Sequence, residues 1–212
     1  MILQQLTVGP LQENCWLIAD DVAKVAVLVD PGDEPARLLA AVDATGCALS
    51  AIWLTHAHFD HVGAVAALLR ERAVPVYLHT ADRVLYDRAS ESAQMFGLHT
   101  ETPPPPDRAL AEGDRVSCGA ISFDVWHLPG HSPGHVAFIG GGLCISGDVL
   151  FAGSIGRTDL PFCDAVAMEA SLQRLTTLPP ATRVLPGHGG YTDVGQELAT
   201  NPFLVSHSLG RS

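Results

Sequence analysis

The chain has 212 residues, 47% of them hydrophobic and 17% charged, which is the composition of an ordered globular protein with a sizeable core and excludes a disordered chain. Its formal net charge is −11 with histidines neutral, and Lys24 is its single lysine. That balance argues against a nucleic-acid partner, which needs clustered Lys and Arg to hold phosphates.

In chain order, residues 2–6, 15–18 and 25–29 read as strands, the last running into the turn signal Asp30-Pro31-Gly32-Asp33. Residues 35–44 follow as a helix, with Leu38, Leu39 and Val42 at helical spacing, and 49–54 as a short buried strand. Residues 62–72 are rich in Ala and Leu with basic residues near the end, which predicts a helix. A strand is expected at 74–78 and a helix over 80–92 with Thr80 as its cap. From Phe96 to Asp107 the chain is irregular, with prolines at 103–106, and predicts an exposed connector. Strands at 115–118, 121–127, 136–139 and 143–146 follow, then a helix over 165–178, a strand at 183–185 and a helical tail over 192–201.

Strand runs carrying helices in each half predict an α/β (α+β) protein, two sheets packed face to face with helices outside. One domain over 1–212 is expected, its two similar halves joined around 96–113. The start, MILQQLTVGPLQENC, has no basic segment ahead of a long apolar run, and the apolar stretches are strand-sized. Neither a signal peptide nor a membrane partner is expected. The cysteines at 15, 47, 118, 144 and 163 are odd in number and form no CxxC pair, which fits a reducing cytoplasm and no thiolate zinc site.

The polar run Thr55-His56-Ala57-His58-Phe59-Asp60-His61 begins where a buried strand ends, so its side chains lie in a loop at a sheet edge. His56 and His58 project the same way along an extended backbone, and Asp60 and His61 come from the turn into the next helix. Three imidazoles and a carboxylate so close together are costly to bury without a partner. Imidazole nitrogen with carboxylate oxygen suits zinc, iron or manganese; a histidine-rich surface loop is the bland alternative. Three further strand ends deliver His131 in LPGHSPGH, Asp148 in CISGD and His188 in VLPGHGG, each preceded by a Gly that permits a tight turn.

In this order, over essentially the whole chain, these motifs resemble the metallo-β-lactamase fold superfamily and, within it, the glyoxalase II-like hydrolases. The stretch 147–161, GDVLFAGSIGRTDLP, resembles the short bacterial hydroxyacylglutathione hydrolase-like proteins. The resemblance implies a four-layer αββα sandwich with metals in a groove at one sheet edge. It assigns His56, His58 and His131 to a first metal, Asp60, His61 and His188 to a second, and Asp148 to a bridge. It also implies two divalent ions, zinc foremost with iron or manganese as alternatives, and catalytic roles for Asp60 and Asp148. The implied reaction is hydrolysis of S-D-lactoylglutathione, or a related hydroxyacyl-glutathione thioester, by a hydroxide that the metals share. Cation binding lowers the pKa of water to about 7.

Alternatives remain. A persulfide dioxygenase with one iron resembles the chain in fold and in its GRTD stretch; lactonase and β-lactamase-like chemistry belong to related folds. A non-catalytic metal scaffold would predict a blocked groove. Arg157 is the candidate for gripping an anionic substrate, since Arg forks onto carboxylates, against a structural pairing with Asp159 or Asp164. Tyr191 is a candidate hydrogen-bond donor to substrate. His135 is expected to be structural or to hydrogen-bond behind the ligands. His79 is expected to cap or face solvent, and His99, His127 and His207 to be structural or exposed. Longer glyoxalase II enzymes hold glutathione with a C-terminal helical extension, and those contacts are not expected here. Oligomeric state is left open.

Overall fold

The computed structural model describes residues 1–204, so His207 lies outside the described residues. The first sheet is built from β1 (Ile2–Val8), β2 (Glu13–Asp20), β3 (Val25–Val29), β4 (Ala48–Trp53), β5 (Val76–His79) and β6 (Arg108–Leu110), in that spatial order. β1 to β3 pair antiparallel and β3 to β6 pair parallel. Parallel neighbours need crossovers, and these are helical. They are α1 (Pro35–Ala44), then α2 (Phe59–Val62) with α3 (Val65–Glu71), then α4 (Arg83–Tyr86) with α5 (Ala89–Met95).

The second sheet contains β7 (Arg115–Cys118), β8 (Ile121–His127), β9 (Val136–Gly140), β10 (Leu143–Gly147), β13 (Arg183–Pro186) and β14 (Thr192–Asp193). Its spatial order is β14-β13-β10-β9-β8-β7. A separate small hairpin is formed by β11 (Leu150–Phe151) and β12 (Ser154–Ile155), and α6 (Ala165–Leu175) and α7 (Val194–Thr200) complete the set.

Burial explains the layering. Every residue of β2 is buried. By strand alternation Cys15, Leu17 and Ala19 pack toward the helices while Trp16 and Ile18 pack toward the second sheet. Between the sheets Trp53 meets Phe123 edge-on at 6.0 Å and Phe138 at 5.4 Å. On the far side Leu128, Met168, Leu172 and Leu175 pack α6 onto the second sheet. The result is the αββα sandwich. Among the described residues no helix is long and apolar enough to cross a membrane.

Four departures from the sequence reading stand out. The helix expected over 62–72 is broken, because the Ala64 N–H leaves the helix to donate to the Pro31 carbonyl. A Cβ at Gly63 would also lie 2.3 Å from the Gly32 oxygen, so two backbones touch there. The helix expected over 80–92 is a 3-10 turn at Thr80–Asp82 followed by α4 and α5, and the His79 ring, not Thr80, caps the turn. β6 follows directly on the proline-rich connector and adds a strand to the first sheet. In the tail, Thr192 and Asp193 pair with β13 before α7 begins, with the Asp193 side chain accepting from the Gln196 N–H as the cap.

Asp20 closes the end of β2. Its carboxylate accepts hydrogen bonds from Val22 and Ala23 in its own turn and from Ala120 between β7 and β8. The Ala120 bond foremost holds the carboxyl below its usual range. A lowered folded-state pKa means stabilisation that is complete above about pH 4 and is lost as pH falls through the folded value. Asp20→Asn is expected to flatten the fall in thermal midpoint between about pH 6 and pH 3; an unchanged acid profile would rule the role out.

Candidate metal centre

The ends of β4, β8, β10 and β13 lie along one edge of the sandwich, and the loops that follow them carry the polar residues. His56, His58 and His131 come together there, with His58 Nδ1 3.1 Å from His56 Nε2 and 2.9 Å from His131 Nε2. Asp60, His61 and His188 form a second group beside them. His188 Nε2 lies 3.3 Å from Asp60 Oδ2. Asp148 faces both groups: Oδ1 is 3.4 Å from His61 Nε2, and Oδ2 is 3.4 Å from His131 Nε2 and 3.6 Å from His188 Nε2. All seven predicted donors therefore converge.

The donor atoms fit divalent cations. His61 Nε2 and Asp148 Oδ1 are buried and have no hydrogen-bond partner, and imidazole with carboxylate is the set that zinc, iron and manganese accept. Three ring nitrogens within 3.1 Å of a neighbour, in a pocket where His56 is wholly buried, bring lone pairs together that a cation would separate.

The two groups differ electrostatically. Burial pushes the His58 imidazole down to about 3, with His131 adding to the effect, and burial holds His56 well below its usual value. Both shifts favour the neutral ring, the form in which a nitrogen lone pair can bind a metal. In the second group burial also opposes charge, but opposite charges outweigh it. Asp148 and Asp60 hold His61 well above its ordinary value, the Asp60 hydrogen bond raises His188, and His61 foremost keeps Asp148 far below the carboxylate range.

Several ligands and their loops are held from behind. Asp30 accepts from the Thr55 N–H and hydroxyl, and its Oδ2 lies 3.2 Å from His61 Nδ1. A carboxylate behind a ligating imidazole fixes the ring and its tautomer. Asp82 staples two ligand loops together, accepting from Ala57 N–H and from Ser132 and Gly134 of the His131 loop. His131 Nδ1 faces the Arg157 carbonyl at 2.8 Å. From β2, Asn14 donates to the Pro186 and Gly189 carbonyls and Trp16 donates to Pro186, which clamps the loop that carries His188.

Asp30, Asp82 and Asn14 were missed in the sequence. Asp30 was visible only as part of a turn signal, and its left-handed φ of 53° in a buried non-glycine residue is a structural cue. The glycine before Asp148 meets the expected need for backbone freedom, with φ 48° at Gly147. Gly187 serves differently. Its φ is not in the left-handed range, but a Cβ there would lie 2.2 Å from Asp148 Oδ1.

The remaining candidates fall outside the cluster or behind it. His135 stacks on His56 and its Nε2 accepts the Asp148 N–H at 3.0 Å. His79 stacks on His127 at 4.2 Å, away from the donors, and His99 is exposed. Arg157 is exposed and forks onto Asp159 at 2.8 and 3.0 Å. Tyr191 is exposed, its ring under the Arg183 guanidinium at 4.5 Å. A cavity of about 190 Å³ opens beside Asp60, lined in part by Leu11, Phe59, Leu98 and His99.

An αββα sandwich with this donor set at its edge defines a metal-dependent hydrolase. The model of the metallo-beta-lactamase superfamily matches residues 8–188, and the chain belongs to that superfamily. It is 39% identical over 213 residues to the hydroxyacylglutathione hydrolase GloC of Haemophilus influenzae, an alignment spanning 98% of this chain and 100% of that protein. Among solved structures, a di-iron-bound form of TTHA1623 matches at 54% identity and a TM-score of 0.89, covering 95% of this chain and all of that one. The BLEG-1 B3 metallo-beta-lactamase matches at 40% identity and a TM-score of 0.89, covering 96% of this chain and 99% of its own.

Proposed function

We propose that the chain is a dinuclear thioesterase that cleaves S-D-lactoylglutathione or a related hydroxyacyl-glutathione thioester to free acid and thiol, with zinc as its metal. The observation that carries the reading is Asp148, whose two oxygens each lie 3.4 Å from a histidine of a different group. Full-length similarity to a protein named for this activity supports the substrate class. The di-iron form of a 54% identical structure supports two metals and keeps iron as an alternative to zinc. The free cysteines suit a cytoplasmic setting.

In this reading His56, His58 and His131 would hold one cation, Asp60, His61 and His188 the other, and Asp148 would serve both. Bound cations supply Lewis-acid polarisation of the carbonyl and an acidified water. The chain's residues do the rest. Asp60 is partly open to solvent and would orient the attacking water through the carboxylate oxygen that does not hold the cation. The C–O bond forms first, opening the C=O to a tetrahedral adduct. Its collapse restores the C=O and breaks the C–S bond. The proton given up by the water goes to the departing thiolate, which needs little acid assistance. Asp30 and Asp82 hold the donor loops still, so little reorganisation accompanies the reaction. The cavity beside Asp60 is sized for a small acyl group. Arg157 would exchange Asp159 for a substrate carboxylate, and Tyr191 would donate to substrate from the rim.

Metal content measured together with turnover of S-lactoylglutathione tests the reading. Two equivalents of metal and thioester hydrolysis are expected. Two equivalents with no thioester turnover would remove the function and leave the site standing. Hydrolysis of a cephalosporin in its place would favour the β-lactamase chemistry named for BLEG-1. Oxygen uptake with glutathione persulfide and a single iron would favour a dioxygenase.

A further inference from the structure

The N-terminal motif Gly9-Pro10-Leu11-Gln12-Glu13-Asn14 contains a carboxylate that the hydrolytic reading does not use. Glu13 begins β2 and is 1% exposed. Both of its carboxylate oxygens are buried without a hydrogen-bond partner. Oε1 lies 3.7 Å from His61 Nδ1, while His61 Nε2 looks the other way, toward Asp148. Asp30 Oδ2 is already 3.2 Å from the same Nδ1, and one N–H serves one strong bond, so Glu13 is surplus to hydrogen bonding. Room for it comes from Gly32, where a Cβ would sit 2.7 Å from Glu13 Oε2.

A buried carboxylate without a partner opposes folding unless a positive charge nearby compensates it. No salt bridge from Arg or Lys reaches Glu13 among the described residues; His61 is the basic group beside it, and that ring is shared with Asp30, Asp60 and Asp148. The four carboxylates clustered around His61 are Glu13, Asp30, Asp60 and Asp148.

We propose that Glu13 is a positioning residue for the second metal: its carboxylate stands 3.7 Å behind His61 Nδ1, across the ring from Asp148, and acts through that ring on the cation His61 would hold. This rests on the dinuclear reading above. A carboxylate filling space in the core would leave the affinities of the two metal sites alone, whereas a carboxylate acting through His61 changes one and spares the other.

Zinc titration of the metal-free protein by calorimetry, with thermal melting alongside, separates these. Wild type is expected to take two equivalents. Glu13→Gln keeps the shape and removes the charge; it is expected to bind the first equivalent as wild type does and the second about 10- to 100-fold more weakly, the usual range for a partner behind a ligand. Metal-free Glu13→Gln is expected to melt no lower than metal-free wild type, because no hydrogen bond of the carboxylate is lost. Glu13→Asp keeps the charge one methylene further back and is expected to lose less of the second affinity; it carries the same test should the Gln variant fail to fold. Both zinc affinities unchanged in the variants, beside a two-equivalent wild type, overturns the proposal alone. A wild type that takes one equivalent overturns the dinuclear reading and the proposal with it.

Discussion

An Asp148→Asn chain is expected to retain at most one equivalent of metal and to hydrolyse thioester about a thousandfold more slowly, a loss of about 4 kcal/mol in the barrier. The expectation follows from position. Asp148 is the residue whose oxygens approach His131 on one side and His61 and His188 on the other. Its backbone is fixed independently of its charge: its N–H donates to His135, and the Gly147 carbonyl accepts from the Gly187 N–H. Asn therefore occupies the same place with one negative charge fewer and an N–H₂ pointed at nitrogen lone pairs. In the metal-free chain the substitution also strips His61 of its foremost raising charge, so that ring becomes easier to neutralise. Metal per chain by mass spectrometry and initial rates on S-lactoylglutathione check both halves. Two metals and a rate within about threefold of wild type would sink the bridging role.

The convergence of these residues was legible in the sequence because His56, Asp148 and His188 lie one to three residues past a strand end and His131 four, and strand ends are local features. The bridging role rests on the family resemblance. Val25–Val29 and Arg115–Cys118 begin and end where the sequence places them, since Asp-Pro-Gly and Gly punctuation coincides with the turns. The helix over 62–72 could not be read as broken, because its break depends on Gly63 lying against Gly32, thirty-odd residues away. Local propensity carries no information about such a contact. The supporting residues were hidden for the same reason. Asp82 lies within a run whose pattern is helical, yet its carboxylate reaches across to Ser132 and Gly134. Glu13 and Asn14 look like the polar end of a strand until the strand is set beside the loop of His188. Chemistry was thus written in short motifs, while its rigidity was written in pairings between distant ones. Arg157 illustrates the limit, since its two sequence readings differ only in which carboxylate it meets, and the fold supplies Asp159.

Stripping metal from the wild-type chain is expected to lower its thermal midpoint by roughly 8–16 °C, reversibly on adding zinc. Binding to the folded state alone stabilises by about 4 kcal/mol when free metal exceeds Kd a thousandfold, and a chain of this size shifts about 2–4 °C per kcal/mol. The direction follows from the centre itself. His56, His61 and Glu13 are all 1% exposed or less, and three of their polar atoms have no hydrogen-bond partner. In the metal-free chain that polarity is carried into the interior without full compensation, and cations supply it. The effect also depends on pH. His61 and His188 are held above their ordinary values, so protons compete for the second group as pH falls, while the His56 and His58 rings stay neutral far lower. Zinc-dependent stabilisation should therefore shrink as pH is lowered from about 8 to about 6, losing the second group's share first. Scanning calorimetry in chelator and in excess zinc, at both pH values, measures it. A midpoint that ignores both chelator and zinc would mean that the converged donors hold no metal in the folded chain.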